Sequence, residues 1–138
     1  MISNVRQIIF TTVLIIFLGA CAGPVKYSIE NSSGENLIYS SNSERWHSGE
    51  KNRKIPTGKI TEVLFAPEFL IETESGEKLE YQIPYSEELA KSFKSKWDAS
   101  DVLYVVVNRD YEIQLKKRKN IPAATNQPKQ LGFPAKPL

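Results

Sequence analysis

Phe69-Leu70-Ile71-Glu72-Thr73-Glu74, followed by Ser75-Gly76 and then residues 77–83, is the stretch that decides the fold. Apolar and polar side chains alternate on both sides of the Ser-Gly pair, which is typical of two half-buried strands joined by a tight turn. The inward face of this hairpin carries Phe69, Ile71, Thr73, Leu79, Tyr81 and Ile83. The outward face carries Glu72, Glu74, Glu80 and Gln82. The pattern predicts antiparallel strands with one face in a core.

Further strands are predicted on both sides of the hairpin. They lie at 25–30, 37–39, 60–65, 102–107 and 111–115. The first two are separated by Asn31-Ser32-Ser33-Gly34, a run of turn-forming residues, and we expect them to pair as a hairpin. Residues 102–107 are apolar at every position, which predicts a strand buried on both faces.

One helix is predicted between the hairpin and the last two strands. Ser86 is a favourable N-cap residue, and two acidic residues follow it in the first turn. Leu89, Phe93 and Trp97 then recur at four-residue steps and form one apolar stripe. We expect this helix to cover a sheet face or to close one end of a barrel.

These elements predict a mainly β domain of about seven strands with one short helix. No strand–helix–strand alternation is present, so the expected architecture is a small antiparallel β-sandwich or a partly open barrel. The predicted organisation is a signal peptide at 1–20, a tether at 21–24, the β-rich domain at 25–118 and a basic, proline-rich tail at 119–138.

The tail admits three interpretations. Its prolines interrupt regular structure and favour a solvated, extended chain. It also follows the basic run Lys117, Arg118 and Lys119 and contains Phe133, so it suits a docking arm with an apolar anchor for a partner. In the third interpretation the tail folds back and packs Phe133 on its own domain.

The N-terminus carries an apolar run at 8–18 that ends in Leu18-Gly19-Ala20-Cys21. The run is shorter than the roughly 20 residues that span a bilayer as a helix. It matches the apolar region of an export signal, with small residues at a cleavage site. An uncleaved membrane anchor and a plain secretory signal remain as alternatives.

Leu18-Gly19-Ala20-Cys21 resembles the lipobox of bacterial lipoproteins. The resemblance implies cleavage after Ala20, a diacylglycerol thioether on Cys21 and acylation of the new amine, with palmitate as a typical chain. This covalent lipid would anchor the protein in the cell envelope, and no other cofactor is expected. Ala22 stands where lipoproteins retained in the inner membrane commonly carry Asp. The resemblance therefore implies the outer membrane, with the domain facing the periplasm.

The composition excludes several kinds of chemistry. One histidine, His47, and one cysteine cannot supply a metal site of the His/Cys type, and the neighbours of His47 match no nucleophile motif. We expect no catalytic residue and no metal ligand. With 18 basic residues against 16 acidic ones the net charge is only +2, which disfavours a dedicated nucleic-acid binder.

Trp46 and the adjacent Arg45 lie in a polar segment and are candidate partner-binding residues, because Trp and Arg are enriched at interface hot spots. The alternative for Trp46 is a plug at one end of the β-core. Three functions remain open. The leading hypothesis is a non-enzymatic module that binds or scaffolds an envelope protein or glycan. The others are an inhibitor or immunity-type lipoprotein, and a small glycan-acting enzyme that uses Glu72, Glu74 and Glu80.

Overall fold

The structure is a computed structural model that describes residues 25–41, 49–95 and 101–138. Cys21, Arg45, Trp46, His47 and Trp97 lie outside these residues. The described elements are β1 (Lys26–Asn31), β2 (Leu37–Ser41), β3 (Arg53–Ile55), β4 (Ile60–Leu64), β5 (Glu68–Glu72), β6 (Lys78–Gln82), α1 (Glu87–Ala90), β7 (Lys94–Ser95), β8 (Asp101–Val107), β9 (Ile113–Leu115) and a 3-10 turn at Lys129–Leu131.

The strands form two sheets. In the first sheet the order is β4-β1-β8, and both β7 and β9 pair with the other edge of β8, one with each half of it. The second sheet has the order β3-β2-β5-β6. The mainly β prediction is confirmed. Among the described residues the strands do not close into a barrel, and the arrangement is compatible with a small sandwich.

The predicted hairpin on both sides of Ser75-Gly76 is confirmed as β5 and β6. Phe69 pairs with Tyr81 and Ile71 with Leu79 in an antiparallel register. Phe69, Ile71 and Tyr81 are buried, whereas Glu80 on the other face is exposed. The alternation fixes this register because a one-residue slip would turn every apolar side chain to water.

The predicted pairing of β1 with β2 is wrong, because these strands belong to different sheets. Asn31, which is fully buried, ends β1 and directs the chain across the sandwich. Its amide nitrogen donates to the carbonyl oxygens of Glu35 and Ile55, each at 2.8 Å. Its side-chain oxygen accepts from the Ser33 hydroxyl at 2.6 Å. The turn residues were recognised, but their composition does not encode which sheet the chain enters next.

One of the described strand pairs is parallel, whereas the others are antiparallel. β1 and β8 run in the same direction, with Lys26 opposite Val102 and Asn31 opposite Val107. A parallel pair needs a long crossover connection. Here the intervening chain supplies that crossover by building the whole second sheet, so no crossover helix is required. β8 is buried on both faces, as its uninterrupted apolar run predicted.

The helix is shorter than predicted. Its N-terminus is as expected, since the Leu89 backbone N–H donates to the Ser86 hydroxyl at 3.0 Å. It ends at Ala90, and the chain then forms β7, where Lys94 pairs with Val102 of β8. The prediction of one helical stripe that includes Phe93 was wrong. The pairing with β8 is a tertiary contact that the local four-residue spacing does not contain, and such contacts override helix propensity.

Aromatic rings fill the centre of the sandwich. Tyr27 lies 5.5 Å from Phe69 and 6.5 Å from Tyr39 between ring centroids, and Phe69 stacks on Tyr81 at 5.2 Å. The hydroxyl groups reach backbone carbonyls at the margins of the core: Tyr39 donates to Leu64 at 2.8 Å. Burial raises the pKa of Tyr27, Tyr39 and Tyr81 above the usual range of a tyrosine.

The C-terminal segment packs on the β-domain. Ala135 forms a bridge with Ile113 of β9, and the Leu138 backbone N–H donates to the Glu80 carbonyl of β6 at 2.9 Å. Phe133, two residues before Ala135, is 1% exposed and belongs to the core. Of the three interpretations of residues 119–138, packing of Phe133 on its own domain is what the structure shows. Residue 118 therefore does not mark the end of the packed domain.

Candidate functional site

Those of the predicted partner-binding residues that the structure describes do not form one surface. Lys117, Arg118 and Lys119 are exposed, whereas Phe133 is buried and its ring is not available to a partner in this packed position. Arg45 and Trp46 lie outside the described residues, as does the lipidation candidate Cys21. Their proposed roles remain predictions.

The basic run 117–119 belongs to a closed loop that Lys116 holds in place. Lys116 is 5% exposed, and its ammonium group donates to a carboxylate oxygen of Glu30 and to the Lys119 carbonyl at 2.8 Å. A bridge between Lys116 and Ala123 closes the loop. The sequence carried no signal for this burial, because Lys116 continues an ordinary alternation of polar side chains. The loop presents its three basic side chains to solvent on the side of the first sheet.

A shallow groove of about 1050 Å³ lies on the outer side of the second sheet. Half-buried Leu70 of β5 lies within it. Charged side chains of both signs also line the groove: Lys51, Glu68, Glu72, Lys78 and Glu80. Leu138, which is 82% exposed, lies at the groove beside β6. No local pattern in the sequence indicated this concave surface, because its lining residues come from several strands and from the C-terminal end.

The three glutamates considered for glycan chemistry are divided between two places. Glu72 and Glu80 line the groove. Glu74 lies in the β5–β6 turn, where its carboxylate accepts from the Asn36 backbone N–H at 3.0 Å. Of these three glutamates, only Glu72 and Glu80 share the groove and could act together in the carboxylate chemistry that the sequence left open.

A second polar cluster lies at the end of the domain where β1 finishes. The Tyr111 hydroxyl donates to a carboxylate oxygen of Glu35, and this hydrogen bond is the largest cause of a raised Tyr111 pKa. The Tyr111 backbone has a positive φ of 59°, a conformation that is uncommon for a bulky side chain. Its carbonyl accepts from the Tyr81 hydroxyl at 2.7 Å. The cluster joins the β1–β2 and β8–β9 connections to strand β6 and has every member engaged, so we assign it a structural role.

A cluster of three aromatic side chains lies at the opposite end, where β1 starts. Phe65 follows β4 and packs against Phe93 at 5.5 Å and Tyr85 at 5.9 Å between ring centroids. Tyr85 is 47% exposed. The four-residue spacing predicted Phe93 in a helix stripe, whereas a single tyrosine after Pro84, such as Tyr85, has no periodic signal.

The described part of the chain contains no group of three or more His, Cys, Asp or Glu side chains that could hold a metal ion. Within residues 25–41, 49–95 and 101–138, no helix combines the length and the apolar character that crossing a bilayer requires.

Comparison with known proteins returns no relative. No family model matches the chain, and neither a curated protein nor a solved structure is significantly similar to it. Any functional argument therefore rests on the residues themselves.

Proposed function

We propose that this chain is a lipid-anchored protein of the bacterial envelope whose β-domain binds another envelope protein without catalysing a reaction. The observation that carries the proposal is the short spacing between Cys21 and the folded domain. Val25 is already packed against the core, and its carbonyl accepts from the Phe65 backbone N–H at 3.0 Å. Four residues of extended chain span at most about 14 Å. A lipid on Cys21 would thus hold the domain directly against a membrane.

The lipobox-like residues supply the anchor in this proposal. A diacylglycerol group with a further acyl chain binds a bilayer far more firmly than one myristoyl chain does, because each buried methylene contributes about 0.8 kcal/mol. Ala22 after the cysteine favours the outer membrane, with the domain in the periplasm. Removal of the thiol by Cys21→Ala should release the protein from the membrane fraction of cells.

The groove on the second sheet is the surface that we assign to partner binding. It combines a half-buried leucine with a surrounding ring of charges of both signs, which is how protein interfaces are commonly built. Leu70 would pack against an apolar side chain of the partner. Lys51, Lys78 and the groove glutamates would pair with charges of opposite sign and would fix the orientation.

The test uses the full chain in cells, with a photoreactive amino acid in place of Glu80 in the groove or of exposed Asp110, which does not line the groove. We expect a discrete crosslinked protein from the Glu80 position and none from the Asp110 position. Leu70→Arg should abolish that product. The matched control is Ile60→Arg, since Ile60 is 37% exposed but belongs to the first sheet. A product that survives Leu70→Arg, or that appears equally from Asp110, would overturn the assignment of the groove.

The joint presence of Glu72 and Glu80 in the groove favours a second candidate, a small glycan-acting enzyme that uses two carboxylates. This candidate predicts that the purified protein releases soluble fragments from envelope glycan, and that Glu72→Gln or Glu80→Gln stops the release. The binding proposal predicts no fragments from any of these proteins.

A further inference from the structure

The end of the domain at which β1 starts, here called the base, is defined by three paired residues. Lys26 is the first residue of β1 and lies opposite Leu64 at the end of β4 and Val102 near the start of β8. β7 also reaches the base, because Lys94 pairs with Val102. The chain toward Cys21 leaves the domain from this end, through Val25.

The aromatic cluster of Phe65, Tyr85 and Phe93 belongs to the base. Phe65 is bonded through its backbone to Val25, the residue from which the tether departs. Tyr85 packs on Phe65 and on Phe93, with ring centroids 5.9 Å and 6.4 Å apart, and about half of its surface remains open to solvent. Phe65 is 7% exposed and belongs to the core, so its ring holds the Tyr85 ring on the core side.

We propose that the base docks on the membrane surface and that Tyr85 inserts into the lipid headgroup region. This inference rests on the proposed lipid anchor. Val25, to which the tether of residues 22–24 is joined, lies beside Phe65, so a lipid on Cys21 would bring the bilayer to the face that carries Tyr85. Tyrosine is favoured at this depth, because its ring is apolar while its hydroxyl remains hydrated. The opposite end of the domain, where β1 finishes and Tyr111 lies, would then face away from the lipid.

The charges near Tyr85 indicate which lipid surface suits the base. Glu87 and Glu88 are exposed in α1, Lys91 is exposed just after it, and Lys26 is half-buried at the start of β1. Because both signs are present, we expect no strong preference for anionic lipid. The occupant is therefore a zwitterionic phospholipid surface, held by the aromatic ring rather than by net charge.

The test uses the full chain, expressed in cells, purified from their membranes and reconstituted in vesicles of phosphatidylcholine and phosphatidylethanolamine. p-Benzoylphenylalanine replaces Tyr85 in one protein and Asp110 in the other, and intact mass reports phospholipid adducts after irradiation. We expect an adduct from position 85 and none above background from position 110. A third protein carries the photoreactive residue in place of Lys91 and keeps Tyr85. When Tyr85→Ser is added to this third protein, we expect the yield of phospholipid adduct to fall while the melting temperature stays the same.

Equal adducts from positions 85 and 110, or none from position 85 in protein that floats with the vesicles, would overturn docking of the base and leave the lipid anchor intact. Adducts that appear only after phosphatidylglycerol is added would also overturn it, because the contact would then be electrostatic. If Cys21 is unmodified in cells, the proposed function fails separately. Its thiol, the only one in the chain, can then be coupled to a maleimide phospholipid and the same measurement repeated.

Discussion

Ala135 and Ile113 exchange both of their backbone hydrogen bonds, each at 2.8 Å, although 22 residues separate them along the chain. This pair attaches the C-terminal segment to β9, an edge of the first sheet. Three residues later Leu138 is bonded to Glu80 of β6, an edge of the second sheet. The segment thus connects the two sheets along one side and covers the core with Phe133.

Phe133→Ala tests whether the segment stabilises the fold. The change removes a fully buried ring, so we expect the free energy of unfolding to fall by about 3–5 kcal/mol. Urea titration of both proteins measures the difference. Leu138→Ala is the control on the same segment and should change the value by less than about 0.5 kcal/mol, since its side chain is exposed. Equal effects of the two changes would mean that the segment does not pack as described.

Asn31→Ala tests the crossing from the first sheet to the second. The side chain bonds Glu35, Ile55 and Ser33, and none of these contacts survives the change. We expect a loss of about 2–3 kcal/mol in the free energy of unfolding, because buried polar groups lose their partners. Ser32→Ala, at the exposed neighbouring position, should cost little. An Asn31→Ala protein as stable as the Ser32→Ala protein would refute this role.

Glu30 and Lys116 should respond asymmetrically to substitution. Glu30→Ala leaves the buried ammonium group of Lys116 without its carboxylate, and we expect a cost of about 2 kcal/mol. Lys116→Met replaces the buried charge with an apolar chain of similar length while half-buried Glu30 can still be hydrated, so the expected cost is below about 1 kcal/mol. Thermal and urea unfolding of both proteins provide the comparison. A larger loss in Lys116→Met would contradict this account of the ion pair.

The buried tyrosines predict a loss of stability at alkaline pH. Burial raises the pKa of Tyr39 in the folded chain, so above about pH 10 the unfolded chain ionises first and is favoured. Each such tyrosine then removes about 1.4 kcal/mol of unfolding free energy per pH unit. Tyr39→Phe should make the decline between about pH 10 and about pH 12 less steep by that amount. Phe69→Leu should lower stability while leaving the slope as it is, and an unchanged slope in Tyr39→Phe would refute the prediction.

The elements that could be predicted from the sequence are those whose pattern is local. The β5–β6 hairpin followed from alternation around Ser75-Gly76, and the burial of β8 followed from its apolar run. The helix start followed from Ser86, whose hydroxyl caps the first turn. In each case neighbouring residues decide the structure, so the pattern in the chain contains the answer.

Features that depend on distant residues were not predictable. The parallel pairing of β1 with β8 requires knowledge of the path of the whole intervening chain. Lys116 is buried because Glu30 lies opposite it in space, 86 residues away in the sequence. Phe133 occurs in a proline-rich, basic context that is typical of extended tails. It is buried nevertheless, because the residues that follow it are hydrogen-bonded to β9 and β6, one edge strand of each sheet. The groove around Leu70 likewise exists only once β2, β5 and β6 have paired and Leu138 has reached β6.

The central claim is that Cys21 carries the lipid that anchors this domain. The measurement that tests it most directly is the intact mass of the full-length gene product recovered from cell membranes, with N-terminal fragmentation. The account predicts a chain that begins at Cys21 and bears a diacylglycerol group and an acyl chain on that residue, and predicts no such species from Cys21→Ala. A membrane-bound protein that retains Met1, or one whose Cys21 carries no lipid, would contradict the account.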